Sequence, residues 1–167
     1  MERHKLWNDR AHKLFQKALD LNALEDEEES VRFDVILCEG KGHFKPRIQI
    51  PTCDAFLKDF PKSKHRAAVR ISRGLALRKT GQTWKAIQEW HTLVKEHPQS
   101  PEAPKALRHI ADEEWNAKGL LALRTLLQKY PNAPEAPSAA FQLATRLSAF
   151  EDLRDEAIQA YRTVVKN

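Results

Sequence analysis

The segment "SPEAPKA" (Ser100–Ala106) returns thirty-three positions later as "APEAPSA" (Ala133–Ala139), and each copy follows an aromatic-type residue and proline, "HPQ" and "YPN". Repetition at such a spacing constrains a fold more than any other feature of the chain, because each copy must be one supersecondary unit that its neighbour covers. The apolar pattern repeats with it. Ala86, Ile87, Trp90, Leu93 and Val94 fall on one stripe of an amphipathic helix that Pro98 stops. The stripe recurs as Gly119, Leu120, Leu123, Leu126 and Leu127 before Pro131, and as Ala157, Ile158, Tyr161, Val164 and Val165. Ala11, Phe15, Ala18 and Leu19 carry it near the start, and Gln49, Cys53, Phe56 and Leu57 carry a weaker version before Pro61. The anchors 11, 49, 86, 119 and 157 are separated by 38, 37, 33 and 38 residues, the length of a helix–turn–helix unit.

First helices are predicted between these second helices, at roughly 29–42, 64–80, 102–115 and 135–149. Alanines stand where such helices would approach closely: Ala67, Ala68, Ala106, Ala111, Ala139, Ala140 and Ala144. The duplicated words then read as helix-start punctuation. Pro101 and Pro134 are expected in the first helical turn, and Glu102 and Glu135 complement the helix dipole. Five glycines against nine prolines suit helices joined by short turns. The fold class is therefore all-α, one array of about nine helices over 1–167. Its units are 1–24 (partial), 29–61 (degenerate), 64–98, 101–131 and 134–167, and the whole is expected to be a module of a larger protein.

The run Gly74, Leu77, Gly81, Ala86, Trp90 and Pro98, written "GLALRKTGQTWKAIQEW" and then "HPQSP", resembles the tetratricopeptide repeat. The resemblance implies a right-handed superhelical solenoid of antiparallel helix pairs. Its core would hold Ala11, Phe15, Gly74, Leu77, Gly81, Ala86, Trp90, Leu93, Leu123, Ala157 and Tyr161. The proline-rich junctions are similar to those of bacterial cell-envelope members, the Tol–Pal-associated cell-division coordinator and the outer-membrane assembly lipoproteins. Through them a periplasmic or envelope setting is implied, with the cytoplasm as the alternative. Arg70 and Arg73 depart from the pattern, standing where the family usually has apolar residues. The 29–61 unit departs too, with Gln49 at a small-residue position and Pro51 inside its second helix, so that helix is expected to be kinked, shortened or late to start.

Catalytic and cofactor chemistry is not legible. "EGKGH" (Glu39–His43) lacks the Lys-Ser/Thr ending of a phosphate loop and reads as a turn between helices. The histidines have no companions at metal spacing, no nucleophile motif occurs, and no cofactor is expected. Cys38 and Cys53, fifteen positions apart, read as free thiols, though a disulfide between antiparallel helices stays open. The acidic run Glu25–Glu29 reads as a solvated loop. No apolar run reaches the roughly 20 residues of a transmembrane helix.

The net charge of +5 sits in the middle third: residues 59–108 hold 11 Lys/Arg against 4 Asp/Glu. Within it Arg66, Arg70 and Arg73 share one narrow helical arc. They read either as a solvated face or as a groove stripe that receives carboxylates from an acidic partner segment. Trp84 and Trp115, near turns, read as inter-repeat packing or as ligand contacts. The leading expectation is a non-catalytic scaffold that binds another protein. A nucleic-acid-binding helical array is the weaker reading, since the facing positions do not recur from unit to unit. A third reading is an accessory arm of a larger cell-wall enzyme. An end helix is expected to expose an apolar face, either for more protein or for self-association.

Overall fold

The periodicities fold as helices because nothing inside most of them breaks the ladder, and proline or glycine stands just past most of the stops. The computed structural model describes residues 28–41 and 46–165, with Lys13, Leu14 and Lys17 besides. Among these residues the regular structure is helical throughout, in eight α-helices and one 3-10 turn, with no strand. They are α1 (Glu28–Lys41), α2 (Pro46–Asp59), α3 (Arg66–Lys79), α4 (Thr83–Glu96), α5 (Ala103–Glu113), α6 (Ala117–Lys129), α7 (Ala136–Leu147) and α8 (Arg154–Val165), the 3-10 turn Glu151–Leu153 preceding α8. The partial unit at 1–24, with Ala11 and Phe15, lies outside the described residues, as do the side chains of Val164 and Val165. The chain forms two compact units, Met1–Glu89 and Trp90–Asn167, divided within α4 and not at a repeat boundary.

Three junctions share one hydrogen-bond pattern. At Phe60–Arg66, His97–Ala103 and Tyr130–Ala136 the chain makes two successive four-residue turns that share their middle residue, Ser63, Ser100 or Ala133. The first turns close with Ser63 N–H to Phe60 C=O (3.2 Å), Ser100 N–H to His97 C=O (3.0 Å) and Ala133 N–H to Tyr130 C=O (3.0 Å). The second close with Arg66 N–H to Ser63 C=O (3.4 Å), Ala103 N–H to Ser100 C=O (3.1 Å) and Ala136 N–H to Ala133 C=O (2.9 Å). Pro61, Pro98 and Pro131 occupy the second position of the first turns, where the ring's fixed φ is what the turn requires. Pro101 and Pro134 do the same in the second turns. The expectation that these two prolines enter the helix is thereby corrected. Pro104 and Pro137 are the ones in the first helical turn, where a missing N–H costs nothing. Glu102 and Glu135 sit at the N-cap position without a side-chain cap bond.

Two glycines are required by their surroundings. Gly81 has φ +81°. Its N–H reaches Arg78 C=O while Gln82 N–H reaches Leu77 C=O, the paired bonds of a Schellman C-cap. Its expected place in the core is corrected, since it is an exposed cap. Gly119 is buried, and a Cβ there would lie 1.7 Å from the Glu114 carbonyl oxygen. A side chain at 119 would force the α5–α6 turn apart.

In the first unit Ile36, Cys53, Phe56 and Val69 form the buried cluster, covered by Phe33, Leu57 and Phe60. Pro51 does not shorten α2, which runs 14 residues like α1, α3 and α4. The ring lies on the exposed side of the helix, and the polar outlier Gln49 is buried with its amide donating to Ile36 C=O at 3.1 Å. Glu39, Gly40 and Lys41 continue α1 rather than forming a turn, and Glu28 and Glu29 of the acidic run open that helix. The second unit is alanine-lined: Ala103, Ala106, Ala111, Ala139, Ala140, Ala144 and Ala157 are all buried, which lets helix backbones approach closely.

Trp90 is fully buried and stacks on His109, with ring centroids 4.9 Å apart. Trp84, six residues earlier, is 61% exposed. Trp90→Ala should therefore cost roughly 3–5 kcal/mol, while Trp84→Ala should stay within about 0.5 kcal/mol. Urea melts of the two variants check this, and equal midpoints would contradict the register.

Candidate functional site

The arginine arc is spent inside the protein. Arg66 donates to the carbonyls of Leu57 (2.6 Å) and Phe60 (3.3 Å), clamping the end of α2. Arg70 pairs with Glu89 at 2.6 Å, and Arg73 reaches both Glu89 and Asp54 at 2.5 Å. The Glu89 side chain is only 8% exposed, so one desolvated carboxylate is shared by two guanidiniums. Burial opposes the charge on Arg73, but the hydrogen bond to Asp54 and the charges of Glu89 and Asp54 outweigh it and hold the group firmly protonated. Both readings of the stripe, solvated face and receptor for an outside carboxylate, are thereby corrected: the carboxylates are the protein's own.

Cys53 lies against the same network. Burial first, then the negative charges of Glu39 and Asp54, push its thiol far above the usual range. It stays protonated and unreactive. Cys53 is buried and Cys38 half-buried, and no disulfide joins them.

The double reversal Arg70→Glu with Arg73→Glu should accordingly melt the first unit rather than spare its helicity. Stranding a buried carboxylate among like charges costs on the order of 3–5 kcal/mol. Circular dichroism during a thermal ramp reads the loss, and unchanged stability would return the stripe to surface.

In the second unit the side chains turn the other way. The outward face of α7 carries Ser138, Phe141, Gln142 and Thr145, at helical spacings of three and four, while Ala139, Ala140, Leu143, Ala144 and Leu147 are buried. On one side this face is bonded to α5 and the turn after it. Arg108 donates to Ser138 Oγ and, at 3.0 Å, to Asp112. Gln142 donates to the same Asp112 carboxylate at 3.0 Å. Arg146 donates to the carbonyls of Ala111 (2.6 Å) and Glu114 (3.0 Å), capping the negative end of α5. Burial lowers the pKa of Arg146, with Asp112 offsetting and Arg108 adding to the effect. Its guanidinium carbon also sits 4.4 Å from the centroid of the Trp115 ring, within cation–π range.

On the other side Phe141 meets Tyr161 of α8 edge to face, with centroids 6.1 Å apart. Trp115 is 77% exposed, Phe141 57% and Tyr161 37%. The expectation that Tyr161 is a core residue is corrected. Ala157 and Ala160 face inward on α8, and Ile158 and Tyr161 face out. The packing expected of Trp84 is corrected as well, since it is exposed, while Trp115, exposed too, lays its ring against Arg146 of the next helix pair. Of the other expected core residues, Gly74, Leu77, Ala86, Trp90, Leu93, Leu123 and Ala157 are buried. Phe141 and the Arg146–Trp115 stack escaped the sequence reading. The signal for Phe141 was its place on the polar arc of α7, opposite the alanines. Arg146 had none, because its role depends on reaching carbonyls of another helix.

Helix α8 is held by a bidentate pair, Arg124 Nε and a terminal nitrogen to the two oxygens of Glu156 at 2.6 and 2.8 Å. A concavity of about 430 Å³ runs along the two junctions of this unit, lined by Pro101, Pro104, Tyr130, Pro131 and Pro134. The Tyr130 hydroxyl there donates to Pro98 C=O at 2.6 Å. Among the described residues no group of three or more His, Cys, Asp or Glu is placed to hold a metal ion, and no helix is long and apolar enough to cross a membrane. No protein-family model matches the chain, and no curated protein matches it.

The Arg124 hydrogen bond first, and its charge, lower the Glu156 pKa against the opposing effect of burial. A depressed carboxylate adds stability above its unfolded pKa and loses it as pH falls through the folded value. The protection factors of the α8 amides, observed rates divided into the intrinsic rate at each pH, should therefore fall between about pH 5 and pH 3 in the wild type. In Glu156→Gln the same acidification should change the protection much less; an identical pH response in both would refute the assignment.

Proposed function

We propose that the chain is a non-catalytic scaffold that binds another protein on a face built from stacked helix hairpins, in the manner of the tetratricopeptide repeats it resembles. The observation that carries this reading is the exposure of three aromatic rings in the second unit, Phe141 of α7 against Tyr161 of α8, and Trp115, in the turn after α5, over Arg146. Exposed aromatic rings braced by bonded neighbours are the chemistry of an interaction hot spot, since they offer large area at little ordering cost.

The repeat reading draws support from the cross-links within the second unit. Each helix hairpin there is tied to the next by bonds between next-but-one helices, Arg108, Gln142 and Arg146 joining α5 to α7 and Arg124–Glu156 joining α6 to α8. The junction pattern recurring at Phe60, His97 and Tyr130 supports it as well. A place in envelope assembly rests on the resemblance of the proline-rich junctions alone.

Affinity capture from a lysate of the source cell, with and without nuclease, tests the reading. A retained polypeptide that survives nuclease and is lost when Phe141 is changed to Ser is the expected result. Retention that disappears with nuclease would favour a nucleic-acid-binding array instead.

A further inference from the structure

We infer that the outward stripe of α8 is a self-association surface, on which a second copy of this chain lays its own α8 antiparallel about a two-fold axis. The inference goes beyond the scaffold reading and does not rest on it, since the occupant is this chain and the test needs no other protein.

The repeat register is the first ground. Tyr161 holds the position of Trp90 in α4 and Leu123 in α6, four residues past the small anchors Ala157, Ala86 and Gly119. Trp90 and Leu123 are fully buried, and His109 of the following helix, α5, stacks on the Trp90 indole. Tyr161 meets Phe141 and Thr145 of the preceding helix, α7, and stays exposed, as does Ile158 three residues before it. The cover at Trp90 is a helix, and a helix is the shape that the open position on α8 fits.

The second ground is charge, and it selects which helix. Asp155, Ile158 and Arg162 fall three and four residues apart on one stripe of α8, and all three are exposed. Ala157 and Ala160 face the other way and are buried. The ion pairs made from this region run instead from Glu156 to Arg124 and from Arg154 to Glu151. A second α8, antiparallel about an axis between positions 158 and 159, sets Asp155 of each copy against Arg162 of the other. Ile158 then packs at the centre. A parallel pair would set acid on acid and cation on cation. Asp155 lies in the first turn and Arg162 in the last, so the antiparallel pair also opposes the two helix dipoles. The stripe is its own complement, which is what an isologous contact requires.

Area sets the strength. The 12 residues of α8 make a cylinder about 18 Å long and about 10 Å across. Pairing two of them buries far less than the roughly 800 Å² per partner of a standard stable interface. The dimer is therefore weak, with a dissociation constant above about 1 µM, and it forms where the chain is concentrated.

Sedimentation velocity of the purified full chain, from about 5 to about 500 µM, tests the inference. A reversible monomer–dimer equilibrium is expected with nothing larger, because an isologous contact closes at two copies. Ile158→Glu should weaken it at least about tenfold. Asp155→Arg alone, or Arg162→Asp alone, sets like charges opposite one another at both ends and should weaken it at least about fivefold. Mixing these two single variants should restore the dimer, since every facing pair is then opposite in sign. The exchanged double variant Asp155→Arg/Arg162→Asp should dimerise within about threefold of the wild type, which a parallel pair could not do. All three positions are exposed, and circular dichroism checks that each variant keeps its helices. A chain that stays monomeric throughout, a dimer indifferent to Ile158→Glu, or single reversals that mixing does not rescue overturns the inference and leaves the scaffold reading untouched. Growth beyond the dimer overturns it as well.

Discussion

Main-chain hydrogen bonding at the proline junctions is the constraint on which the rest of the structure depends. A helix that stops leaves carbonyls and N–H groups that must find partners. At Phe60, His97 and Tyr130 the double turn supplies them while bringing the chain into the next helix within a few residues. Proline enforces the stop and pre-sets the turn, so the geometry costs little conformational entropy. Once the ends of α2, α4 and α6 are fixed, the phase of each following helix is fixed as well. That phase decides which residues of α3, α5 and α7 are buried. The alanine faces of α5 and α7 turn inward, and the polar and aromatic faces turn out.

The two units spend their arginines differently. In the first, Arg66, Arg70 and Arg73 reach inward to carbonyls and to the buried Glu89. A network desolvated this far adds little net stability over an apolar core, because the Coulombic gain is set against the cost of dehydration, yet removing one partner strands a buried charge. In the second, Arg108 and Arg146 span from one helix to another across a half-exposed row. There the guanidinium of Arg146 braces an indole that is 77% exposed. A cation held by carbonyls and an aromatic face orders the surface without consuming it, and Trp115 remains open on its other side.

The helices were legible because their stripes and punctuation agree. Ala86, Trp90 and Leu93 repeat at helical spacing, and Pro98 follows. What sequence could not show was side-chain reach. Arg70 and Arg73 sit on one arc in any helical wheel, and nothing in that wheel reveals that Glu89, sixteen and nineteen residues away, closes against them. Tyr161 shares its repeat position with the buried Trp90, yet lies outside, because α8 is covered through Ala157 and Ala160 alone among the described residues. Gly81 fits both a core motif and a C-cap, and only its positive φ separates the two. Pro51 looked disruptive by type. On the outer side of α2 its ring is exposed, and only one ladder bond near the start of the helix is forgone.

Site-specific photo-crosslinking in the source cell tests most directly where this protein meets its partner. A benzophenone side chain would replace, one at a time, Trp115, Phe141 and Trp84, the last comparably exposed at 61% but outside the α5–α7–α8 face. The account predicts polypeptide adducts from positions 115 and 141, of one common mass, and none from position 84. Adducts from position 84 with none from 115 or 141 would contradict it and move the interaction surface to α4.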